Sequence, residues 1–260
     1  MQQDKSPVLN WIATALVAGF LILPMAAVVL SSFGETAFAN FPPKGFTLEW
    51  YTRFNEVPGL VDSLVYSLKL AVVATMVSVA LAVVTAVGLT LKLLPGKTIV
   101  ISFLMSPLIL PSIVVGLALL LFFSTVWMAD YFVGLIIGHV IISFPYALRS
   151  ILPQMETFDR NLWAASRTLG AHPVKSFLTI MLPLAVPGLV SGTIFAFLIS
   201  FDNYNISAFI QDPLNPTLPV VLYNAAEQAL SPVLMAISSV LILLSAIVVS
   251  IFSKYLMHGK

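Results

Sequence analysis

Six long apolar runs divide the sequence, at about 8–30, 61–91, 99–125, 131–152, 181–201 and 232–256. A helix that crosses a bilayer needs roughly 20 apolar residues, and every run supplies about that many. Strands of a membrane barrel would instead show alternating segments of about ten residues. Only 9% of residues are charged and 59% are hydrophobic, where soluble domains carry about 25% charge. The chain therefore reads as all-α: a single polytopic transmembrane domain over residues 1–260 with about six transmembrane helices. The first run exceeds the roughly 7–15-residue apolar core of a signal peptide and lacks a clear small-residue cleavage site before Phe33, so it is read as a retained helix. The second exceeds the bilayer thickness, so its first turns lie at the outer interface or the helix tilts.

Basic residues orient these spans. Lys5, Lys92, Lys97, Arg149, Arg160, Arg167, Lys175, Lys254 and Lys260 fall at the termini and even-numbered loops. Lys44 and Arg53 alone fall in odd-numbered loops, and Lys69 sits inside the second span. That asymmetry predicts cytoplasmic N- and C-termini, with the long loop 153–181 also inside. Glu35, Glu49, Glu56, Asp62, Asp130, Asp202, Asp212 and Glu227 are expected outside or at the outer boundary. Two readings of this acidity stay open: an entry path for cations, or outer loops that merely lack positive charge. The net charge of +1 gives nucleic acid no purchase.

The absence of cysteine excludes disulfides, thiolate metal sites and cysteine nucleophiles. His139, His172 and His258 are scattered, with neither HExxH nor GxSxG, so no metal site and no catalytic residues are expected and a membrane hydrolase is disfavoured. No GxxxxGK[ST] loop occurs, so ATP is not expected to bind this chain as a cofactor. A carrier or channel working alone would place acids at midplane, whereas the acids here are expected near the outer boundary.

Residues 156–188 read ETFDRNLWAASRTLGAHPVKSFLTIMLPLAVPG. Asp159 can cap a polar helix that runs from Arg160 through Ala164, Ala165, Ser166 and Leu169 and stops at Gly170, a suitable residue just past a helix end. After His172 and Pro173 a second short helix leads into Leu182-Pro183 and the fifth span. Small Ala164, Ala165 and Ser166 permit close approach of a partner, while Arg167 and Lys175 stay solvated. The pattern Ala165-Ser166, then Leu169-Gly170, then Ile180-x-Leu182-Pro183 resembles the EAA loop of type I ABC importer permeases. In that family this loop is the coupling helix that sits in a cleft of the ATP-binding subunit. The family's glutamate falls at Ala164, so its polar contact is absent or supplied by Glu156, Asp159 or Arg160. The stretch from Lys44 to Tyr51, Ser106-Pro107, Pro111 and Ser200-Phe201-Asp202-Asn203 are similar to segments of spermidine/putrescine-type permeases, in particular their second permease subunit. The resemblance implies a type I permease fold and a non-catalytic transport subunit, with polyamine or another small amine, amino-acid-derived or organic solute as cargo. It also implies a second homologous permease, two ATP-binding subunits holding ATP and Mg²⁺, a periplasmic solute-binding protein and the lipid bilayer as partners.

Several side chains fit a solute path. Asp202, Asn203, Tyr204 and Asn205 end the fifth span on the outer side, and a carboxylate beside an aromatic and two amides suits an ammonium group; Asp202 alternatively caps the segment that follows. Lys69 either snorkels to the outer interface or faces the path, paired with Asp62. His139 makes an interhelical hydrogen bond, relays protons or binds a metal. Pro107, Pro111, Pro145 and Pro187 are expected to interrupt helices, and Gly116, Gly134, Gly138, Gly188 and Gly192 to permit close packing. Trp11, Trp50, Tyr51, Trp127 and Tyr131 fit interfacial anchoring. Tyr223, Asn224 and Glu227 are candidates for contact with a docked binding protein.

Overall fold

A computed structural model describes residues 7–36, 38, 41–91, 96–125, 130–210, 212–229 and 231–257. Lys5, Lys92, Trp127, His258, Lys260 and the side chain of Lys254 lie outside them. All regular structure among the described residues is helical: α1 (Pro7–Ser31), α2 (Leu60–Leu91), α3 (Lys97–Leu104), α4 (Ser112–Thr125), α5 (Tyr131–Glu156), α6 (Arg160–Thr168), α7 (Pro173–Ser176), α8 (Leu182–Leu184), α9 (Val186–Phe201), α10 (Tyr204–Ile210), α11 (Leu218–Gln228) and α12 (Pro232–Met257). Four helices, α1, α2, α5 and α12, are long and apolar enough to cross a membrane by themselves, and Pro173–Leu184 with Val186–Phe201 forms a fifth such segment bent by 76°.

The third apolar run, 99–125, is interrupted where Pro107 and Pro111 are expected to break it. It is α3, a 3₁₀ turn at Ser106–Leu108, and α4. Pro107 and Pro111 explain the division, since each lacks an N–H and its ring clashes with the carbonyl four residues back. Pro145 behaves otherwise: α5 runs through it unbroken, as it does through Pro153. Pro187 lies in the first turn of α9, where proline costs no hydrogen bond.

Two compact units divide the chain, residues 1–60 with 222–250 and residues 61–221 with 251–260. In the first, the segment after α1 folds on its own aromatic side chains. Trp50 is buried and donates from Nε1 to the Gly34 carbonyl at 2.7 Å. The Tyr51 hydroxyl meets Ser32 Oγ at 2.7 Å, and Phe33 stacks on Phe46 with centroids 5.2 Å apart. Arg53 lies over the Trp50 ring and bridges Glu49 and Glu56. Trp50 is thus the core of this segment with half-buried Tyr51 beside it, whereas Trp11 is 75% exposed on α1.

The second unit is a bundle built on α5. One apolar cluster joins Leu70, Val115, Leu135, Ile142, Ile206 and Ile210, from α2, α4, α5 and α10. Another joins Ala82, Ala86, Ala147, Ile151, Met155, Met181, Ala185 and Ala196, from α2, α5, α9 and the segment before α9. Lipid is as apolar as these side chains, so close packing rather than exclusion from water holds such helices together. Small residues supply it. A Cβ on Gly188 would come within 2.8 Å of the Ser150 carbonyl oxygen, and one on Gly116 within 2.9 Å of the Asn205 carbonyl oxygen. A Cβ on Gly138 or Gly192 would likewise meet the Ile206 side chain or the Ala147 carbonyl oxygen, so Gly116, Gly138, Gly188 and Gly192 perform the packing role expected of them.

Candidate functional site

The segment between α5 and α9 folds as its sequence dictates. Asp159 accepts a hydrogen bond from the Asn161 N–H at 2.9 Å and so caps α6. The helix ends at Thr168 with Leu169 as its C-cap, and Gly170 follows at φ +84°, a left-handed conformation that costs glycine little. The Ser166 hydroxyl donates to the Trp163 carbonyl at 2.8 Å and accepts from Ser176 Oγ at 2.8 Å, fixing α6 against α7. His172 and Pro173 open α7, with His172 Nδ1 accepting from the Val174 N–H at 3.4 Å. Arg167 folds back to donate to the Ala171 carbonyl. Ala164, Ala165, Leu169 and Arg160 are all exposed, Leu169 by 87%.

From α7 the chain passes into a π-helix at Phe177–Met181, then α8, then the 76° bend at Ala185. Met181 and Ala185 are each 1% exposed and pack against α5, so this irregular stretch is buried in protein on one side. Lys97 Nζ lies 2.6 Å from Glu156 Oε1. That ion pair puts the start of α3 beside the end of α5, so the second and fourth loops share one end of the bundle.

At the far end of α9 the structure corrects the expectation that residues 202–205 terminate the fifth crossing. The buried ring of His139 bonds through Nδ1 to Ser200 Oγ at 2.9 Å and through Nε2 to Ser207 Oγ at 3.1 Å. His139 is eight residues into α5, about 12 Å along its axis from the Tyr131 end. The end of α9 is therefore level with the interior of α5. The crossing continues in α10, which packs on α4 and α5 until Phe209 and Ile210 line a crevice with Thr125 and Tyr131.

The break between α9 and α10 is consequently inside the bundle. Asn203 Oδ1 accepts from the Ile206 N–H at 2.8 Å, so Asn203 rather than Asp202 caps α10. Asn205 Nδ2 donates to Ser112 Oγ at 2.6 Å, tying α10 to α4. Tyr204 opens α10, half-buried. With both amides occupied, Asp202 is left as an exposed carboxylate with no hydrogen-bond or ion-pair partner among the described residues.

The Ser207 hydroxyl donates to the Asn203 carbonyl at 2.9 Å. Its one proton is thereby committed, so its oxygen accepts from His139 Nε2–H, and Ser200 donates to Nδ1. Neutral His139 thus welds α5 to both sides of the break, which is the interhelical role expected of it. Neither serine announces itself as its partner in the sequence. Lys69 is exposed on α2 and makes no ion pair with Asp62. Asp212, past the end of α10, accepts from the Leu214 N–H and from Asn215 Nδ2, which holds its carboxyl below the usual carboxylate range. Tyr223, Asn224 and Glu227 share the exposed face of α11, opposite buried Leu218 and Val221. No group of three or more potential metal ligands occurs among the described residues.

The chain is similar to known proteins over most of its length. The chain is 29% identical over 230 residues to the spermidine/putrescine transport system permease protein PotC of Haemophilus influenzae, covering 88% of this chain and 89% of that protein. It is 28% identical over 256 residues to the putrescine transport system permease protein PotI of Escherichia coli, covering 95% and 90%. A bacterial ABC transporter involved in import of the acidic polysaccharide alginate superposes with a TM-score of 0.65 at 14% identity, covering 97% of this chain and 95% of that one. The MetNI methionine ABC transporter in an inward-facing conformation superposes with a TM-score of 0.60 at 17% identity, covering 77% and 96%. Residues 78–258 match the family described as binding-protein-dependent transport system inner membrane component. The chain belongs to that family and is the membrane-spanning permease subunit of an ABC importer.

Proposed function

We propose that this permease carries polyamines. It works as a non-catalytic subunit with a similar but distinct second permease, two ATP-binding subunits that hold ATP and Mg²⁺, and a periplasmic solute-binding protein. Both termini and α6 face the cytoplasm. Closure of the ATP-binding subunits pushes α6, and the bend at Ala185 passes that displacement to α9. Three features support the mechanical half of this reading: the capped, exposed helix, its serine tie to α7, and the buried irregular stretch leading into α9.

The observation that carries the substrate is Asp202. It is an unpartnered carboxylate at a break in a membrane-crossing helix, and an ionisable group at such depth is costly unless it meets a cation. The relatives named for spermidine and putrescine transport lend the same direction. The experiment is uptake of radiolabelled spermidine and putrescine by cells that lack their own polyamine importers and express this permease with its neighbouring subunits. Asp202→Asn is expected to lower uptake about tenfold, the scale of one lost charge-assisted contact. Gly170→Trp is expected to abolish it while the protein still inserts. Unchanged uptake by Asp202→Asn removes polyamines from this site, and normal uptake by Gly170→Trp removes the coupling role.

A further inference from the structure

Resting on the coupling role just assigned, we propose that α6 and α7 dock into a groove of the ATP-binding subunit whose rim is acidic, with Arg160 and Lys175 as the residues that engage it. Family permeases place a glutamate where this chain has Ala164, and the loop offers three other polar groups as substitutes. The structure removes two of them. Glu156 is held by Lys97 at 2.6 Å, and Asp159 is spent on the cap of its own helix. Arg167 is folded onto the Ala171 carbonyl. Of the charged side chains from 156 to 178, Arg160 and Lys175 alone among the described residues have no partner, and both are exposed.

Arg160 is also misplaced for the sake of its own helix. It is the first residue of α6, at the positive end of the helix dipole, where an acidic side chain stabilises and a cation destabilises. A local choice that opposes local stability marks a residue kept for another purpose. Leu162 is 47% exposed, Leu169 87% and Val174 56% on the same stretch, and the helical turn of about 3.6 residues carries Leu162 to the side of α6 away from Arg160. An exposed apolar side and free cations, with no free acid, fit a cleft with an apolar floor and a rim of carboxylates, and a basic rim would repel them.

The chain has no cysteine, so Ala165→Cys gives this subunit a single site for a maleimide photo-crosslinker, with the transporter that carries the wild-type chain as the control for labelling of its other subunits. Crosslinking to the ATP-binding subunit is expected, and the crosslinked peptide identifies the groove. In the same assembly, Arg160→Glu is expected to lower retention of the ATP-binding subunit about tenfold, and Lys175→Glu about threefold. The wild-type complex should loosen as salt rises from about 0.1 M to about 1 M. Reversing a rim carboxylate to arginine should restore Arg160→Glu. Because glutamate suits the start of a helix, misfolding of α6 does not account for a loss by Arg160→Glu. A crosslink with undiminished retention of Arg160→Glu overturns the acidic rim and leaves the coupling role standing. No crosslink to the ATP-binding subunit overturns both.

Discussion

The fifth crossing is broken twice, and the two breaks differ in what they leave exposed. At Ala185 the helix turns by 76° on a buried pivot. Met181 and Ala185 pack against α5, while Leu184 and Val186 on either side of the pivot are exposed apolar side chains. At Asp202 and Asn203 the break is stitched instead by side chains: Asn203 caps α10, Asn205 reaches Ser112, and His139 bonds to serines on both sides. What remains exposed there is a carboxylate. Unwound backbone at membrane depth survives only where protein or water satisfies it, and this chain satisfies it once by packing and once by polar bonds. The first solution suits transmission of movement, the second a fixed chemical environment.

If packing alone holds the Ala185 break, filling its nearest helix contact should do the greatest damage. A Cβ on Gly188 meets backbone, the Ser150 carbonyl oxygen at 2.8 Å, and the Gln154 side chain at 2.7 Å. Backbone cannot step aside, so Gly188→Val is expected to cost about 3 kcal/mol, the upper part of the range for overpacking. The measurement is the melting temperature of the detergent-solubilised complex. Gly170→Val sharpens the contrast: it is strained at φ +84° but meets nothing within 4 Å, and it should cost about 1 kcal/mol, confined to the α6–α7 turn. Equal losses from the two would mean that the bend is not sealed by α5.

The polar break should respond to loss of hydrogen bonds rather than to added volume. His139→Ala leaves Ser200 and Ser207 without their shared partner in a buried setting, an expected loss of about 2 kcal/mol. His139→Gln, which keeps a donor and an acceptor, should recover part of it. Asn203→Ala removes the α10 cap and should cost about 1 kcal/mol. Hydrogen exchange at the Ile206 amide should then accelerate, while amides of α9 near Gly192 keep their protection. Acceleration along the whole of α9 would show the break to be less insulated than its bonding suggests.

These breaks also mark where sequence reasoning stops. The apolar runs locate α1, α2, α5 and α12 within a few residues, because twenty apolar positions have one inexpensive fate in a bilayer. The helix from Asp159 to Gly170 is legible too, since its cap and its stop are local chemistry. The second break is not. Four polar residues, Asp202 to Asn205, resemble the end of a span, and the seven-residue α10 behind them is too short to register as a continuation. The same misplacement put Asp202 at the outer boundary, and with it the view that acids are absent from the interior. Only the bonds from His139 reveal the depth. They join residues 61 and 68 positions apart, a separation that no periodicity encodes.

The smallest effect tests whether the Lys97–Glu156 end of the bundle is held by charge as well as by packing. Lys97 and Glu156 are 2.6 Å apart, with side chains 30% and 41% exposed. Water therefore screens the pair, and the median worth of such surface bridges is about 0–1 kcal/mol. A double-mutant cycle with Lys97→Met and Glu156→Gln is expected to give a coupling energy of about 0.5 kcal/mol, shrinking as salt is raised. A coupling of about 2 kcal/mol would instead mean that the pair is desolvated in the assembled transporter, with another subunit covering the end of α5. The ion pair, not the Ala185 pivot alone, would then set how far α6 can move.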